Sequence, residues 1–183
     1  DSWPVVSWSA IDYYGNWKSL MYQSKRAFAP ILINAIREDN DLCVYLISDE
    51  LHDRDDVSMT VELMDFDGKT HCRWTCNGRL TAGSSQLFMK KSAGEWLGKQ
   101  DAASSLLHFT LKAKNGTTLA DNIYYFAYPK DQKLPKAHIE TNLRRQGDSV
   151  EMTLKTDKLA RDIFIEVPVQ GVRFTDNFFD LLP

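Results

Sequence analysis

From residue 57 to residue 63 apolar and polar side chains alternate without a break, Val57, Met59, Val61 and Leu63 against Ser58, Thr60 and Glu62. Successive side chains of an extended chain point to opposite faces, so this segment is a strand with one buried and one wet face. The same period of two runs through ILINAIRE, DLCVYLISD, KTHCRWTC, SSLLHFTLKA and NIYYFAYP, all of them after Pro30. Asp67-Gly68 and Asn115-Gly116 favour tight turns and break the pattern into hairpins. In KTHCRWTC the alternation sends Cys72, Trp74 and Cys76 inward and Lys69, His71, Arg73 and Thr75 outward. Six or seven short strands with turn signals over about a hundred residues predict an antiparallel β-sandwich of immunoglobulin type at residues 30–130.

Before Pro30 the period is 3.6 instead. Trp17, Leu20, Met21, Ser24 and Phe28 recur at helical spacing, with Asn16 placed as an N-cap. One amphipathic helix of about thirteen residues is marginal in water and needs a surface to lie on. At the other end, PKDQKLPK (residues 129–136) has the prolines and charges of a linker. Beyond it AHIETNL, DSVEMTLKT and RDIFIEVP are three more alternating strands, too few to close a sandwich. The predicted fold is therefore mainly β, with immunoglobulin-like antiparallel β-sandwiches in tandem behind one short amphipathic helix. The predicted divisions are residues 1–29, a sandwich at 30–130 and a partial second sandwich at 131–183.

Composition narrows the functional classes. The chain of 183 residues carries a formal net charge of −3 with both signs mixed throughout, so no basic stripe is available to follow a phosphate backbone and no nucleic-acid partner is expected. No apolar run approaches the roughly 20 residues that cross a bilayer, and no membrane partner is expected. Of the three cysteines, Cys72 and Cys76 are separated by about 13 Å of extended chain, too far for a disulfide between them. Pairing of Cys43 with either stays open, and three buried thiols acting as small hydrophobes is the favoured reading.

Candidate chemistry is sparse. His52, His71, His108 and His138 are scattered, without the paired spacing of a metal helix, and read as solvated side chains. DELHDRDD (residues 49–56) gathers five carboxylates around Arg54, and a charged hairpin loop is favoured there over a calcium loop, whose spacing and central glycine are missing. No activated serine or cysteine and no glycine-rich phosphate loop is present. Acidic residues lie mainly at outward or turn positions, where they stay solvated. No catalytic residue, metal or cofactor is expected from the chain's own residues. Trp96, in the glycine-flanked segment SAGEWLGK, either stacks on a sugar or plugs the sandwich end, and the plug is favoured.

The aromatic run at the start changes this picture. Trp3-Pro4, Ser7-Trp8-Ser9, Ile11-Asp12-Tyr13, Gly15 and Trp17-Lys18 resemble the passage by which glycoside hydrolase family 2 β-mannosidases leave the last strand of their (β/α)8 barrel. Asp1 takes the place of the aspartate in that family's Asn-Asp pair. At the other end, Asp176-Asn177-Phe178-Phe179-Asp180-Leu181-Leu182-Pro183 resembles the signature of the family's C-terminal immunoglobulin-like domain. The resemblance implies the accessory region of a retaining exo-glycosidase for terminal β-D-mannose, whose acid/base and nucleophile lie upstream of Asp1. By that resemblance the chain is an inactive fragment that buttresses the barrel.

The resemblance also supplies partners. They are the upstream catalytic barrel of the same chain and, for the intact enzyme, mannosides or manno-oligosaccharides. Trp3 is its substrate-binding candidate, either walling a sugar subsite or packing the barrel rim. A periplasmic, secreted or lysosomal parent is implied. Deprived of a barrel, residues 3–28 are expected to pack on the first sandwich or to bury themselves in a neighbouring copy, which is self-association. Two alternatives stay open: the same region of a β-galactosidase, β-glucuronidase or exo-glucosaminidase, or a free-standing carbohydrate-binding module.

Overall fold

The computed structural model describes residues 2–169 and 171–183, so Asp1 and its place in an Asn-Asp pair lie outside the described residues. The chain forms two compact units. One is continuous, residues 30–135, and the other joins the first 29 residues to residues 136–183.

The helix α1 covers Ser19–Ala27 and starts later than its periodicity predicts. Asn16 does not cap it. The backbone N–H and side-chain amide of Asn16 both donate to the Asp12 carboxylate, at 2.8 and 2.9 Å, so Lys18 stands at the N-cap with no side-chain cap. Lys25 and Arg26 in the last turn oppose the negative end of the helix dipole. The buried residue of α1 is Tyr22, while Leu20 and Phe28 of the predicted stripe are exposed.

The continuous unit is an antiparallel β-sandwich. Its strands are β1 (Ile31–Glu38), β2 (Asp41–Ser48), β3 (Arg54–Asp65), β4 (Thr70–Leu80), β5 (Ser84–Ser92), β6 (Ser105–Lys112) and β7 (Thr118–Tyr125). They form two antiparallel sheets, β1-β2-β5 and β4-β3-β6-β7. On β3 the alternation holds as predicted, with Val57, Met59, Val61 and Leu63 in the core and Val61 opposite both Trp74 and Phe109.

The cysteines depart from expectation. Cys72 pairs with inward-facing Leu63 yet is exposed, and Cys76 is half-buried. They lie on β4, an edge strand of the four-stranded sheet, and the facing sheet has one strand fewer to cover it. Cys43 alone is buried, and on the outer side of β2, since its neighbours Leu42 and Val44 belong to the core. All three are free thiols.

The helix α2 (Ala93–Leu97) begins with a reciprocal capping box, in which Ser92 Oγ accepts from the Glu95 N–H at 3.2 Å and Glu95 accepts from the Ser92 N–H at 2.9 Å. This cap delivers Trp96 into the core, fully buried and edge-on to Trp74 at 4.9 Å. Lys91 Nζ lies over both indoles, 4.7 Å from the Trp74 ring and 5.0 Å from the Trp96 ring. Trp96 is thus a core plug. Gly78 on β4 has a comparable packing role, because a Cβ there would stand 2.6 Å from Cε2 of Phe88. Gly78→Ala is expected to displace that ring and cost about 1–3 kcal/mol, read from the urea midpoint.

In the discontinuous unit β8 (Ile139–Gln146) and β9 (Ser149–Thr156) make a hairpin around Gly147-Asp148, with Gly147 at φ +60°. A second ribbon pairs β10 (Ala160–Ile163) with β11 (Phe179–Leu181). Among the described residues this unit holds two two-stranded ribbons, β8-β9 and β10-β11.

Candidate functional site

The opening segment folds back on itself through short-range polar contacts. Asp12 N–H donates to the Asn16 carbonyl at 3.0 Å and Gly15 N–H to the Asp12 carbonyl at 3.2 Å, closing a turn that needs φ +84° at Gly15. Ile11 and Trp17 bridge across its base. The amide of Asn16, and its backbone N–H, hold the Asp12 carboxyl below the usual carboxylate range. Lys18 Nζ reaches back to the Ser7 carbonyl and to Ser9 Oγ, both at 3.1 Å. Polar groups thus bind one another inside the segment, and aromatic groups are left outside. Trp3 is 73% exposed, Trp8 98% and Tyr14 76%. Folded domains seldom expose an aromatic patch this dense.

What holds this segment comes from the far end of the chain. Arg26 donates to the Asp176 carboxylate at 2.5 Å, to the Asn177 carbonyl at 3.2 Å and to the Phe178 carbonyl at 2.6 Å. Lys25 Nζ donates to the Thr175 carbonyl at 2.7 Å, and Gln23 Nε2 to the Phe178 carbonyl at 3.2 Å. Beside these bonds runs an aromatic row. Trp17 meets Tyr22 edge-on at 5.3 Å, Tyr22 meets Phe178 at 5.9 Å, and Phe178 stacks on Phe164 at 4.8 Å. The Arg173 guanidinium covers Trp17 at 5.2 Å. The helix therefore lies against the 164–178 region of its own unit. A hydropathy pattern cannot find this face, because Arg26 and Lys25 occupy it.

Residue 178 carries a positive φ of +53°, unusual outside glycine. The turn is fixed by Asn177, which is buried. Its Oδ1 accepts from Ile165 N–H at 2.8 Å and from Phe178 N–H at 2.9 Å, and its Nδ2 donates to the Ile165 carbonyl at 2.8 Å. Asp180 accepts from the Asp162 N–H at 2.8 Å and pairs with Arg161. Each polar residue of the closing motif therefore has an identified structural partner.

The remaining candidates fall to structural roles. In the 49–56 loop Glu50 pairs with Arg54, Asp53 and Asp55 with Arg79, and Asp56 with Lys114 at 2.7 Å. Among the described residues no group of three His, Cys, Asp or Glu side chains is placed to hold a metal ion. His52 and His138 are exposed, but His71 and His108 are more enclosed than their outward positions suggest. His71 Nε2 lies 2.7 Å from Asp65 Oδ2, and burial holds the imidazole of His108 below its ordinary pKa against the pull of Asp121 and Glu62. Thr60, Glu62, Arg73, Thr75, Thr110 and Lys112 line an open groove of about 340 Å³ on the outer face of the four-stranded sheet. None of these six is aromatic, so the groove lacks a stacking platform for a sugar ring.

The carboxylates set an acid limit. The Arg54 hydrogen bond lowers the Glu50 pKa, and the Ala82 N–H followed by Arg79 lowers that of Asp53. For Asp65 burial pushes upward, but the Lys69 N–H, His71 and the Asp67 N–H outweigh it and leave the group lowered. Groups depressed on folding contribute stability above their unfolded pKa and lose it as pH falls through the folded value. Urea midpoints of the sandwich are expected to be flat above the ordinary carboxylate values of 3.8 and 4.5 and to fall below them. Unchanged midpoints between neutral pH and about pH 2 would contradict the assigned pairs.

Residues 40–131 match the family model described as a Mannosidase Ig/CBM-like domain, and residues 134–183 match that of an Ig-fold domain. The β-mannosidase of Bos taurus is 29% identical over 185 residues, which cover 98% of this chain and 21% of that protein. The crystal structure of the β-D-mannosidase from Dictyoglomus thermophilum superposes with a TM-score of 0.82 at 25% identity, over 100% of this chain and 22% of that one. The exo-chitosanase CsxA of Amycolatopsis orientalis shares the fold, with a TM-score of 0.69 at 19% identity over 99% of this chain and 25% of that one. The chain thus spans about a fifth of the length of the curated relatives it matches, 21% in the bovine case. With its sandwich, the Ig-fold unit behind it and the bonded pair of end motifs, the chain belongs to the family of mannosidase Ig/CBM-like domains, in the arrangement of glycoside hydrolase family 2 β-mannosidases.

Proposed function

We propose that this chain is the accessory region of a β-mannosidase-like retaining exo-glycosidase, which buttresses a catalytic barrel and does not itself break the glycosidic bond. The observation that carries this reading is the opening segment, whose Trp3 and Trp8 project from a unit that grips the segment's base through Arg26. A surface built in this way is suited to a partner that supplies the facing half. The names of the bovine and Dictyoglomus relatives support mannose as the sugar. Retaining hydrolysis needs an acid/base and a nucleophile carboxylate about 5–5.5 Å apart. The most concentrated carboxylates here, at residues 50–56, are paired with Arg54, Arg79 and Lys114, which favours a structural use. In this reading Trp3 walls a sugar subsite of the intact enzyme, which its exposure supports, and the same exposed patch would serve copies of the isolated chain as a surface for association.

The test pairs hydrolysis with binding. The purified chain is expected to release no nitrophenol from an aryl β-mannoside above the blank. Titration with mannose and manno-oligosaccharides is expected to show no saturation. Hydrolysis would overturn the assignment of the chemistry to another part of the protein. Saturable binding of the strength of dedicated modules would favour a free-standing carbohydrate-binding module. Relative rates of the full-length protein on β-mannoside, β-galactoside, β-glucuronide and β-glucosaminide separate the family 2 activities.

A further inference from the structure

The two end motifs touch through a small set of directional contacts, and the contacts lead toward the exposed aromatics. From the Asp176-Asn177-Phe178 turn they run through Arg26 and Tyr22 to Trp17, and from Lys18 to Ser7, Ser9 and Ala10. Trp3 and Trp8 lie at the end of this chain of contacts. We infer that the 176–178 turn is a positioning element for the aromatic rim, with Arg26 as the positioning residue that transmits its placement to residues 2–18. The inference rests on the reading of those residues as the edge of a sugar pocket, and it names the part of the chain that sets the edge.

Three features distinguish this from generic packing. Arg26 is shared among a carboxylate and two carbonyls of consecutive residues, so its fork fixes orientation as well as distance. Asn177 holds the turn from the opposite side by binding Ile165, so the acceptors do not drift to meet the arginine. Residues 2–18 contain few buried apolar groups of their own, and their order depends on Trp17 and Lys18.

Hydrogen exchange on the 183-residue chain tests the idea. Asp12, Gly15, Asn16 and Lys18 have backbone N–H groups bonded inside the segment, and their exchange reports its order. Arg26→Ala is expected to speed exchange at these four amides by about tenfold or more, while β8–β9 and the sandwich keep their protection. Arg26→Lys keeps the charge and loses the fork, so it should fall between. As a second readout, 19F relaxation of 5-fluorotryptophan at Trp3 and Trp8 should slow in Arg26→Ala and stay unchanged at Trp74 and Trp96. Unchanged exchange at residues 12–18 in Arg26→Ala overturns the inference. Loss of β8–β9 protection in both Arg26→Ala and the milder Asp176→Asn also overturns it, because the contact would then only hold the unit together. Either result leaves the glycosidase reading standing. Absence of glycosidase activity in the full-length protein would in turn leave the exchange result intact.

Discussion

Trp96→Ala is expected to lower the stability of the sandwich by about 3–5 kcal/mol, the range for deleting a large aromatic from a packed core. That is a large share of the roughly 5–15 kcal/mol that holds a typical domain together. Trp96 is fully buried, lies edge-on to Trp74 and sits beneath the Lys91 ammonium, so its removal opens a cavity and strips both neighbours of a partner. The strands that line the hole belong to two sheets and cannot collapse into it without breaking register. Trp96→Phe separates volume from polarity. The indole Nε1 has no hydrogen-bond partner among the described residues, so phenylalanine gives up no bond there and loses only part of the ring. It should cost clearly less than alanine. Equal losses for the two substitutions, measured by urea unfolding, would show that the cavity is not the cause.

The second large effect is expected at Asn177. Asn177→Ala leaves the Ile165 N–H and carbonyl and the Phe178 N–H without their partner, in a place where water has little access. Each buried group left unpaired costs about 1–3 kcal/mol, so the discontinuous unit should lose about 3 kcal/mol or more. Phe178 would lose the support for its positive φ, and the carbonyls that face Arg26 would lose their fixed position. Asn177→Asp retains the acceptor for both N–H groups but sets an anion against the Ile165 carbonyl, so it should recover part of the loss. Thermal unfolding followed by exchange at β10 and β11 distinguishes this from damage to the sandwich. Full stability in Asn177→Ala would mean that the turn is held by its aromatic neighbours alone.

Much of the sandwich was legible because its code is local. A strand such as 57–63 states its buried face residue by residue, and Asp67-Gly68 announces the hairpin that joins β3 to β4. Burial of Trp96 was legible for a similar reason, since a glycine-flanked tryptophan needs shelter. Cys72 was misplaced because alternation reports a side and not the width of the sheet opposite it. Helix α1 was misread at its start. Asn16 is an eligible cap, yet Asp12 four residues earlier captures it, and the choice between those bonds depends on the turn at Gly15. The docking face escaped because it is written in charge, with Arg26 and Lys25 aimed at acceptors about 150 positions away. The opening and closing motifs were each visible in the sequence, but nothing in their spacing said that one holds the other.

The order of the segments has a consequence for synthesis. The unit that carries the aromatic edge is discontinuous, with its first arm made before the sandwich and its second arm made after it. The sandwich between them is continuous and can fold while the chain is still emerging from the ribosome. For that interval the first arm has its tryptophans and α1 but not the turn that grips them. Exposure of the docking face of α1 should therefore be greatest before residues 175–178 appear. The grip of Arg26 on that turn then acts as a late checkpoint, completed only when the chain has been made through its closing motif.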